Sequence, residues 1–334
     1  MVSEIMKQPK QHIRVAFMDF WTTDYECLPL LKFLRSLYDV ELCDTGYDYA
    51  FYSVFGYRHL RIPSDVVSIF FTGENFCPDF NLCDYALGFD YLSFGDRYLR
   101  YPLFYFDSDV QAAEARHLNA TQQTLAAKSG FCSFVVSNGN MADPIREKMF
   151  KRLSQYKQVD SGGRYMNNIG GPVDDKHAFE AQHKFCLVFE NASHSGYTTE
   201  KIVDAFAAGA IPIYWGDPDI TKVFNPKSFI WVPNEEAIEE AVNRIIYLDQ
   251  NDDAYIAMLR EPMFLHPEDS TEYKSQQLAD FFRHIFDQPK ELAYRFNRDT
   301  RPRIYRHELI AMSDALRYKH MSLLQQIKQS LFKK

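Results

Sequence analysis

Short apolar runs alternate with helical segments along most of the chain, and this alternation limits the possible folds more than any other feature. In the first third, runs such as Ile13–Phe20 and Val66–Thr72 are typical of strands, and Leu28–Leu37 has a helical pattern. The alternation then starts again, with runs at Phe131–Ser137, Phe185–Glu190 and Ile211–Trp215. We therefore predict an α/β protein with two parallel-sheet units in tandem and a cleft between them.

Charge is unevenly distributed over the 334 residues, whose formal net charge is −8. Residues 301–334 hold eight basic and two acidic side chains, a net charge of +6, so the other 300 residues carry −14. The acidic body argues against nucleic acid as a partner, because polyanions bind basic surfaces. We find no signal peptide and no apolar run near the ~18 residues of a membrane span, which predicts a cytoplasmic protein.

The C-terminal segment Tyr318–Lys334 has the pattern of a basic amphipathic helix, with Leu324, Ile327 and Leu331 on one face. Two interpretations fit this pattern equally well. The helix either packs on the body of the protein or makes a peripheral contact with an anionic membrane surface.

A helix opens at Thr198-Thr199-Glu200-Lys201, directly after a strand and a short loop. The N-terminus of such a helix presents unpaired N–H groups and a partial positive charge, which suit a phosphate. Lys201 is unusual in a first turn, where an anion is favoured. It is either compensated by Glu200 and Asp204 or it faces a ligand phosphate. Arg146 is a second cation at a helix start after a strand, so the two could converge on one diphosphate.

Two kinds of carboxylate are candidates for chemistry. Glu74 follows the apolar run that ends at Phe71, which makes it a candidate general base, although a cap or a solvated side chain is the simpler interpretation. The pairs Asp107–Asp109 and Asp217–Asp219 have the Asp-x-Asp spacing of some divalent-cation sites. Such pairs often occur by chance and Pro218 favours a turn, so we predict no metal ligand.

Several of these motifs resemble known ones. The block FCLVFEN…GYTTEKIVDAFAAGAIPIYWG resembles the signature of the α-1,3/4-fucosyltransferases, glycosyltransferase family 10, and the chain is most similar to the bacterial members. GENFCPDFNLCDYALGFDYL and RYLRYPLF resemble the first-domain motif of that family, and NPKSFIWV resembles the next one. The similarity runs from about residue 13 to about residue 290 and keeps the order of the motifs.

The resemblance implies two Rossmann-like domains that face a cleft, the GT-B architecture. It implies an N-terminal acceptor-binding domain over residues 1–110, a GDP-fucose-binding domain over 111–300 and a basic tail over 301–334. The acceptor would be an N-acetyllactosamine-type oligosaccharide, fucosylated with inversion. No cofactor would be required, and a divalent ion would at most stimulate.

The resemblance also assigns roles. Glu74 matches the general base, Arg146 and Lys201 match the cations that hold the diphosphate, and Glu200 matches the carboxylate that binds the ribose hydroxyls. Two further donor-site positions are Asn191 and Tyr197. Two other functions stay open from the residues alone, a transferase that uses another nucleotide sugar and a carbohydrate-binding protein without catalysis.

Overall fold

The computed structural model describes residues 9–106, 109–137, 139 and 143–331, and for residues 318–331 it describes the backbone only. The described chain divides into two compact units. The first contains the residues up to Gly88, Ser93–Leu99 and the residues from Ala279 onward. The second contains Phe89–Leu92 and Arg100–Leu278.

The first unit is built on a six-stranded sheet. Its strands are β1 (His12–Met18), β2 (Asp39–Leu42), β3 (Tyr49–Tyr52), β4 (Val67–Phe71), β5 (Tyr85–Gly88) and β6 (Tyr98–Arg100), in the spatial order β2-β1-β3-β4-β5-β6. Helix α1 (Pro29–Leu37) connects β1 to β2. The pairings among β1 to β5 are parallel, and all residues of β3, β4 and β5 are buried. Continuous apolar runs are expected for such strands, since both faces of the sheet are covered.

The second unit contains a five-stranded parallel sheet in the spatial order β11-β10-β9-β7-β8. Its strands are β7 (Gly130–Phe134), β8 (Val159–Ser161), β9 (His183–Phe189), β10 (Ile211–Trp215) and β11 (Ile230–Trp231). Its helices are α2 (Val110–Ala115), α3 (Gln122–Ala126), α4 (Ile145–Ser154), α5 (Lys176–Ala181), α6 (Glu200–Ala207), α7 (Ile238–Asp249), α8 (Asp252–Leu259) and α9 (Thr271–Phe286), whose last residues belong to the first unit. The predicted α/β class with two parallel sheets is thus confirmed.

The predicted ranges differ from the two units, because residues 89–92 and 100–110 belong to the second unit and residues 279–300 pack with the first. The buried rings of Phe282 and Phe286 lie 6.0 and 6.5 Å from Phe51 of β3, in edge-on and tilted contacts. Asp84, which is fully buried, accepts hydrogen bonds from the backbone N–H of Arg295 at 2.7 Å and from the guanidinium of Arg298 at 2.7 and 3.0 Å. These contacts hold the returning chain against the first sheet.

Two local features were not expected from the sequence. The helical stretch after residue 110 is divided, because Arg116–Asn119 form a 3₁₀ turn and Thr121 caps a new helix in a capping box with Thr124. Strand β8 was not predicted, since its three residues include the polar Asp160 and Ser161.

The predicted tail helix is part of α10 (Thr300–Leu331), and its side chains beyond residue 317 lie outside the described part. Earlier in this helix, Asp314 pairs with Arg61 at 2.5 Å and the Tyr305 hydroxyl donates to Asp79 at 2.8 Å. In the described residues, no helix is both long enough and apolar enough to cross a membrane.

Candidate functional site

The candidate site of the second unit lies at the carboxyl edge of its sheet, where β9 and β10 run side by side. Strand β9 is followed by Glu190 and the loop of residues 191–199, which leads into α6. Strand β10 is followed by Gly216 and Asp217. Ligands of open parallel sheets bind at this edge, and four of the predicted site residues lie on this loop or in the first turn of α6. They are Asn191, Tyr197, Glu200 and Lys201.

Arg146 reaches the same edge from the first turn of α4. Its side chain is buried, and its Nη2 donates to the carbonyl oxygens of Phe189 and Glu190 at 2.9 Å each and to the Asn191 Oδ1 at 3.0 Å. Burial lowers the pKa of Arg146, but a guanidinium stays charged at neutral pH. The structure therefore brings Arg146 and Asn191 together and places a buried positive charge at the end of β9.

Lys201 is paired with a carboxylate that the sequence analysis did not select. Its Nζ lies 2.8 Å from the Oε2 of Glu190 and donates to the Thr199 Oγ1 at 2.8 Å. The Glu190 side chain is fully buried and also accepts from the Thr199 backbone N–H at 2.8 Å and from its hydroxyl at 2.9 Å. Burial alone would lower the pKa of Lys201, but the adjacent Glu190 carboxylate raises it, so the ammonium stays charged.

The partners predicted for Lys201 were Glu200 and Asp204, and this prediction is wrong for Asp204. Glu200 lies 3.9 Å from the Lys201 Nζ, a loose ion pair with a side chain that is 39% exposed. The Asp204 carboxylate instead pairs with Lys176 of α5. Asp204 stands three residues after Lys201 and is occupied by the neighbouring helix, so Glu190 is the principal counter-ion.

Gly216 makes room for the Glu190 side chain. Its φ is 154°, and a Cβ added to it would lie 2.5 Å from the Glu190 Cγ. Any larger residue would force the carboxylate away from Thr199 and Lys201. The only sequence signal for Glu190 was a charged residue directly after the apolar run of β9, next to a helix that begins with a lysine.

The second Asp-x-Asp pair orders the loop. Asp217 is buried and accepts from the backbone N–H groups of Gly196 and Asp219 at 2.8 Å each and from the Thr198 hydroxyl at 3.2 Å. Asp219 accepts from the Ser195 hydroxyl at 2.6 Å. Burial raises the pKa of Asp217. Protein donors thus take up these oxygens, which is the arrangement of a structural turn.

The prediction for the first Asp-x-Asp pair, Asp107–Asp109, is not tested, because Asp107 lies outside the described residues. Among the residues that the structure does describe, no group of three His, Cys, Asp or Glu side chains could hold a metal ion.

Segment Phe89–Leu92 supports the loop within the second unit. The buried Tyr197 ring packs edge-on against Phe89, with ring centroids 5.2 Å apart, and the His194 Nε2 lies 3.1 Å from an Asp90 carboxylate oxygen. Gly196 has φ of 81°, and a Cβ there would lie 2.3 Å from the Phe89 carbonyl oxygen. Tyr197 therefore anchors the loop through its buried ring, whereas Asn191 is exposed and Glu200 is half-exposed.

Glu74 belongs to the first unit, three residues beyond the end of β4. Its side chain is exposed, and its backbone N–H donates to the hydroxyl of the buried Thr72 at 3.1 Å. The backbone is thus fixed while the carboxylate is accessible, at the carboxyl edge of the first sheet. This position is compatible with a general base, but it equally fits a solvated side chain.

Comparison with known proteins gives matches in both units. Residues 15–107 match the alpha-(1,3)-fucosyltransferase FucT N-terminal domain, and residues 125–292 match glycosyltransferase family 10 (fucosyltransferase) C-term. Over 223 residues the chain is 40% identical to alpha-(1,3)-fucosyltransferase FucT of Helicobacter pylori, an alignment that covers 58% of this chain and 46% of that protein. The chain therefore spans about half the length of that curated relative.

Solved structures agree with the sequence match. A crystal structure of alpha1,3-fucosyltransferase aligns with a TM-score of 0.72 and 31% identity, covering 86% of this chain and 93% of that one. A crystal structure of alpha1,3-fucosyltransferase with GDP-fucose aligns with a TM-score of 0.69 and 31% identity, covering 88% and 96%. With both units matched in order and half of the chain covered by the second match alone, the chain belongs to glycosyltransferase family 10.

Proposed function

We propose that the chain is an inverting fucosyltransferase that moves L-fucose from GDP-fucose to N-acetylglucosamine in a galactose–N-acetylglucosamine acceptor. The attacking hydroxyl is O3, with O4 as the alternative, and the product is a Lewis-type glycan. The observation that carries this proposal is the set of buried charges at the end of β9, where Arg146 and the Lys201–Glu190 pair meet in a chain of this family.

Lys201 is suited to binding a phosphate oxygen. An ammonium group has three N–H donors, and in the described structure two of them are directed at Glu190 and at Thr199. The third is left for a ligand. The first turn of α6 adds backbone N–H groups and the positive end of the helix dipole. Glu190 holds the ammonium in position, so little reorganisation is needed when a diphosphate binds.

The same charges favour departure of GDP. When the bond between fucose C1 and the β-phosphate oxygen breaks, the electron pair stays on that oxygen and negative charge builds up. Fixed cations at Arg146 and Lys201 stabilise this charge more in the transition state than in the ground state. We propose that this allows transfer without a divalent ion, which would at most stimulate.

The other predicted residues complete the reaction. Glu74 takes the proton of the acceptor hydroxyl as that oxygen bonds to C1 from the face opposite the leaving GDP. Glu200 accepts hydrogen bonds from the ribose hydroxyls, which its half-exposed carboxylate can reach from the start of α6. Asn191 contacts the donor, and Tyr197 fixes the loop that carries it.

Donor titration followed by product analysis tests the proposal. GDP-fucose, GDP-mannose and UDP-galactose are titrated in a thermal unfolding assay, where a ligand at one hundred times its Kd adds about 2.7 kcal/mol to the stability. GDP-fucose should stabilise the protein most, and NMR of the product made from N-acetyllactosamine should show an α-linked fucose on N-acetylglucosamine.

Preferential stabilisation by UDP-galactose would favour a transferase with another donor. Sugar binding without transfer to any acceptor in a panel would favour the carbohydrate-binding alternative.

A further inference from the structure

Three neighbouring strands of the first sheet are each followed by an exposed aromatic ring. Strands β1, β3 and β4 are adjacent and parallel, so their carboxyl ends meet at one edge. Trp21 follows β1, Phe55 follows β3 and Phe76 follows β4, and their exposed fractions are 53%, 49% and 54%. Grouped exposed rings at this edge of a parallel sheet indicate a ligand surface more than a packing defect.

Trp21 and Phe55 form a supported pair. Their ring centroids are 6.5 Å apart at an interplanar angle of 76°, an edge-to-face contact. Phe20, which is buried, lies 5.9 Å from Trp21 on one side and 6.5 Å from Phe71 of β4 on the other. The indole is therefore held against the buried Phe20 ring while about half of Trp21 stays exposed to solvent.

A buried carboxylate, that of Asp19, joins the two loops that carry these rings. The carboxylate of Asp19 accepts from the backbone N–H groups of Arg58 and His59 at 3.1 and 2.8 Å, and the His59 Nδ1 lies 2.8 Å from it. The Asp19 carbonyl oxygen accepts from the Phe55 N–H at 2.9 Å. Asp19 has φ of 60°, and a Cβ on Gly56 would lie 2.3 Å from its Oδ1.

This arrangement costs the fold free energy, because it buries a carboxylate and places a non-glycine residue in the left-handed region. Such features persist where the surrounding structure must hold a fixed shape, and they concentrate at functional sites. Here the fixed shape is the relative position of Trp21 and Phe55.

We propose that Trp21 and Phe55 form an acceptor subsite that stacks against the galactose ring of the disaccharide, an inference that rests on the proposed function. A pyranose presents an apolar C–H face that packs on an aromatic ring, while its hydroxyls stay hydrated at the rim. Glu74 follows β4, one strand from β3 and two strands from β1. At about 4.8 Å between neighbouring strands, β1 and β4 lie roughly 10 Å apart, a separation that suits a subsite for the second sugar better than one for the reacting sugar.

Alanine variants of the two rings test this subsite. We compare Trp21→Ala and Phe55→Ala with Trp21→Phe, which keeps a ring, and with Tyr247→Ala, which removes an equally exposed ring (49%) from α7. Removing either ring should raise KM for N-acetyllactosamine roughly tenfold. The KM values for free N-acetylglucosamine and for GDP-fucose should not change. Trp21→Phe should keep the KM for N-acetyllactosamine close to the wild-type value, and Tyr247→Ala should leave it unchanged.

A binding measurement without donor separates this subsite from the transfer reaction. Saturation-transfer NMR with N-acetyllactosamine should show the galactose protons closest to the protein, and Trp21→Ala should abolish that signal. Transfer by all variants with an unchanged disaccharide KM would overturn the subsite and leave the transferase proposal intact. Binding of galactose that depends on Trp21 without any transfer by the wild type would overturn the transferase proposal and support the subsite.

Discussion

Replacing Lys201 by methionine should destabilise the second unit and weaken GDP binding for two separable reasons. The Glu190 carboxylate is fully buried, so loss of its ammonium partner leaves an uncompensated charge in the core. Breaking a buried pair in this way costs about 3–5 kcal/mol, and we expect the lower end because Thr199 still donates two hydrogen bonds to Glu190. For a unit of this size, about 3 kcal/mol corresponds to a fall in Tm of roughly 6–12 °C.

The double variant Lys201→Met/Glu190→Gln distinguishes the two roles of the lysine. Removing both charges eliminates the unpaired carboxylate, so the double variant should recover roughly 1–3 kcal/mol relative to the sum of the single changes. Its affinity for GDP should remain about 10–100-fold below that of the wild type, because a charge-assisted hydrogen bond to phosphate is lost and is not restored. Stability is measured by calorimetric unfolding, and GDP affinity by isothermal titration at pH 7.

Lys148→Met provides the matched control. Lys148 pairs with Glu235 at 2.5 Å, but both side chains are about half exposed, so its loss should change the stability by less than about 0.5 kcal/mol. A Lys201→Met variant as stable as this control would refute the buried ion pair. A double variant that regains both stability and GDP affinity would refute the assignment of Lys201 to the diphosphate.

Four further outcomes are expected. Glu74→Gln should lower kcat by about 10²–10⁴ with GDP-fucose affinity within a few-fold, whereas Glu291→Gln, an exposed carboxylate of the first unit, should behave as wild type; wild-type turnover would exclude Glu74 as the base. Transfer should persist in EDTA, and complete loss that Mn²⁺ restores would point to a metal site. Burial raises the pKa of Asp19, but the hydrogen bonds from His59 and Arg58 outweigh this effect and hold the folded pKa below its ordinary 3.8. Asp19 therefore stabilises the fold above that pH, and its contribution is lost on acidification. Asp19→Asn should lower Tm at pH 7, and the Tm of this variant should fall less steeply below about pH 4. The contact of α10 with Arg61 is made by Asp314, so deleting residues 318–334 leaves it in place. The deletion should abolish binding to anionic vesicles and spare transfer to a soluble disaccharide. Loss of that transfer would identify a packed structural helix.

Much of the fold follows from local pattern. Strand β10 has the predicted bounds, and Lys201 and Arg146 lie in first turns as expected, because apolar periodicity and helix-start signals depend on neighbouring residues. Local pattern does not predict that the chain returns to the first unit after residue 278. This return depends on Phe282 and Phe286 meeting Phe51, a contact between residues more than two hundred positions apart.

The counter-ion of Lys201 was missed for a similar reason. A glutamate at the end of an apolar run is as compatible with solvent as with burial. Glu190 becomes buried only because Gly216 leaves space beside it and Thr199 supplies donors. Likewise, Asp204 has the correct spacing to pair with Lys201 within α6, but its carboxylate pairs with Lys176 of α5 instead. Sequence spacing gives the candidates for an ion pair, and tertiary packing selects among them.

Both units place the same device at the carboxyl edge of their sheets. Asp19 directly follows β1, Glu190 directly follows β9, and both are buried. Each carboxylate fits only because a glycine lies beside it, Gly56 or Gly216, where any other residue would place a Cβ within 2.5 Å of the side chain. A well-packed apolar pair at either position would often be as stable as the buried charges or more so. The stability of the fold therefore does not explain these carboxylates, whereas a need to hold Lys201 in one unit and the Trp21 loop in the other explains both.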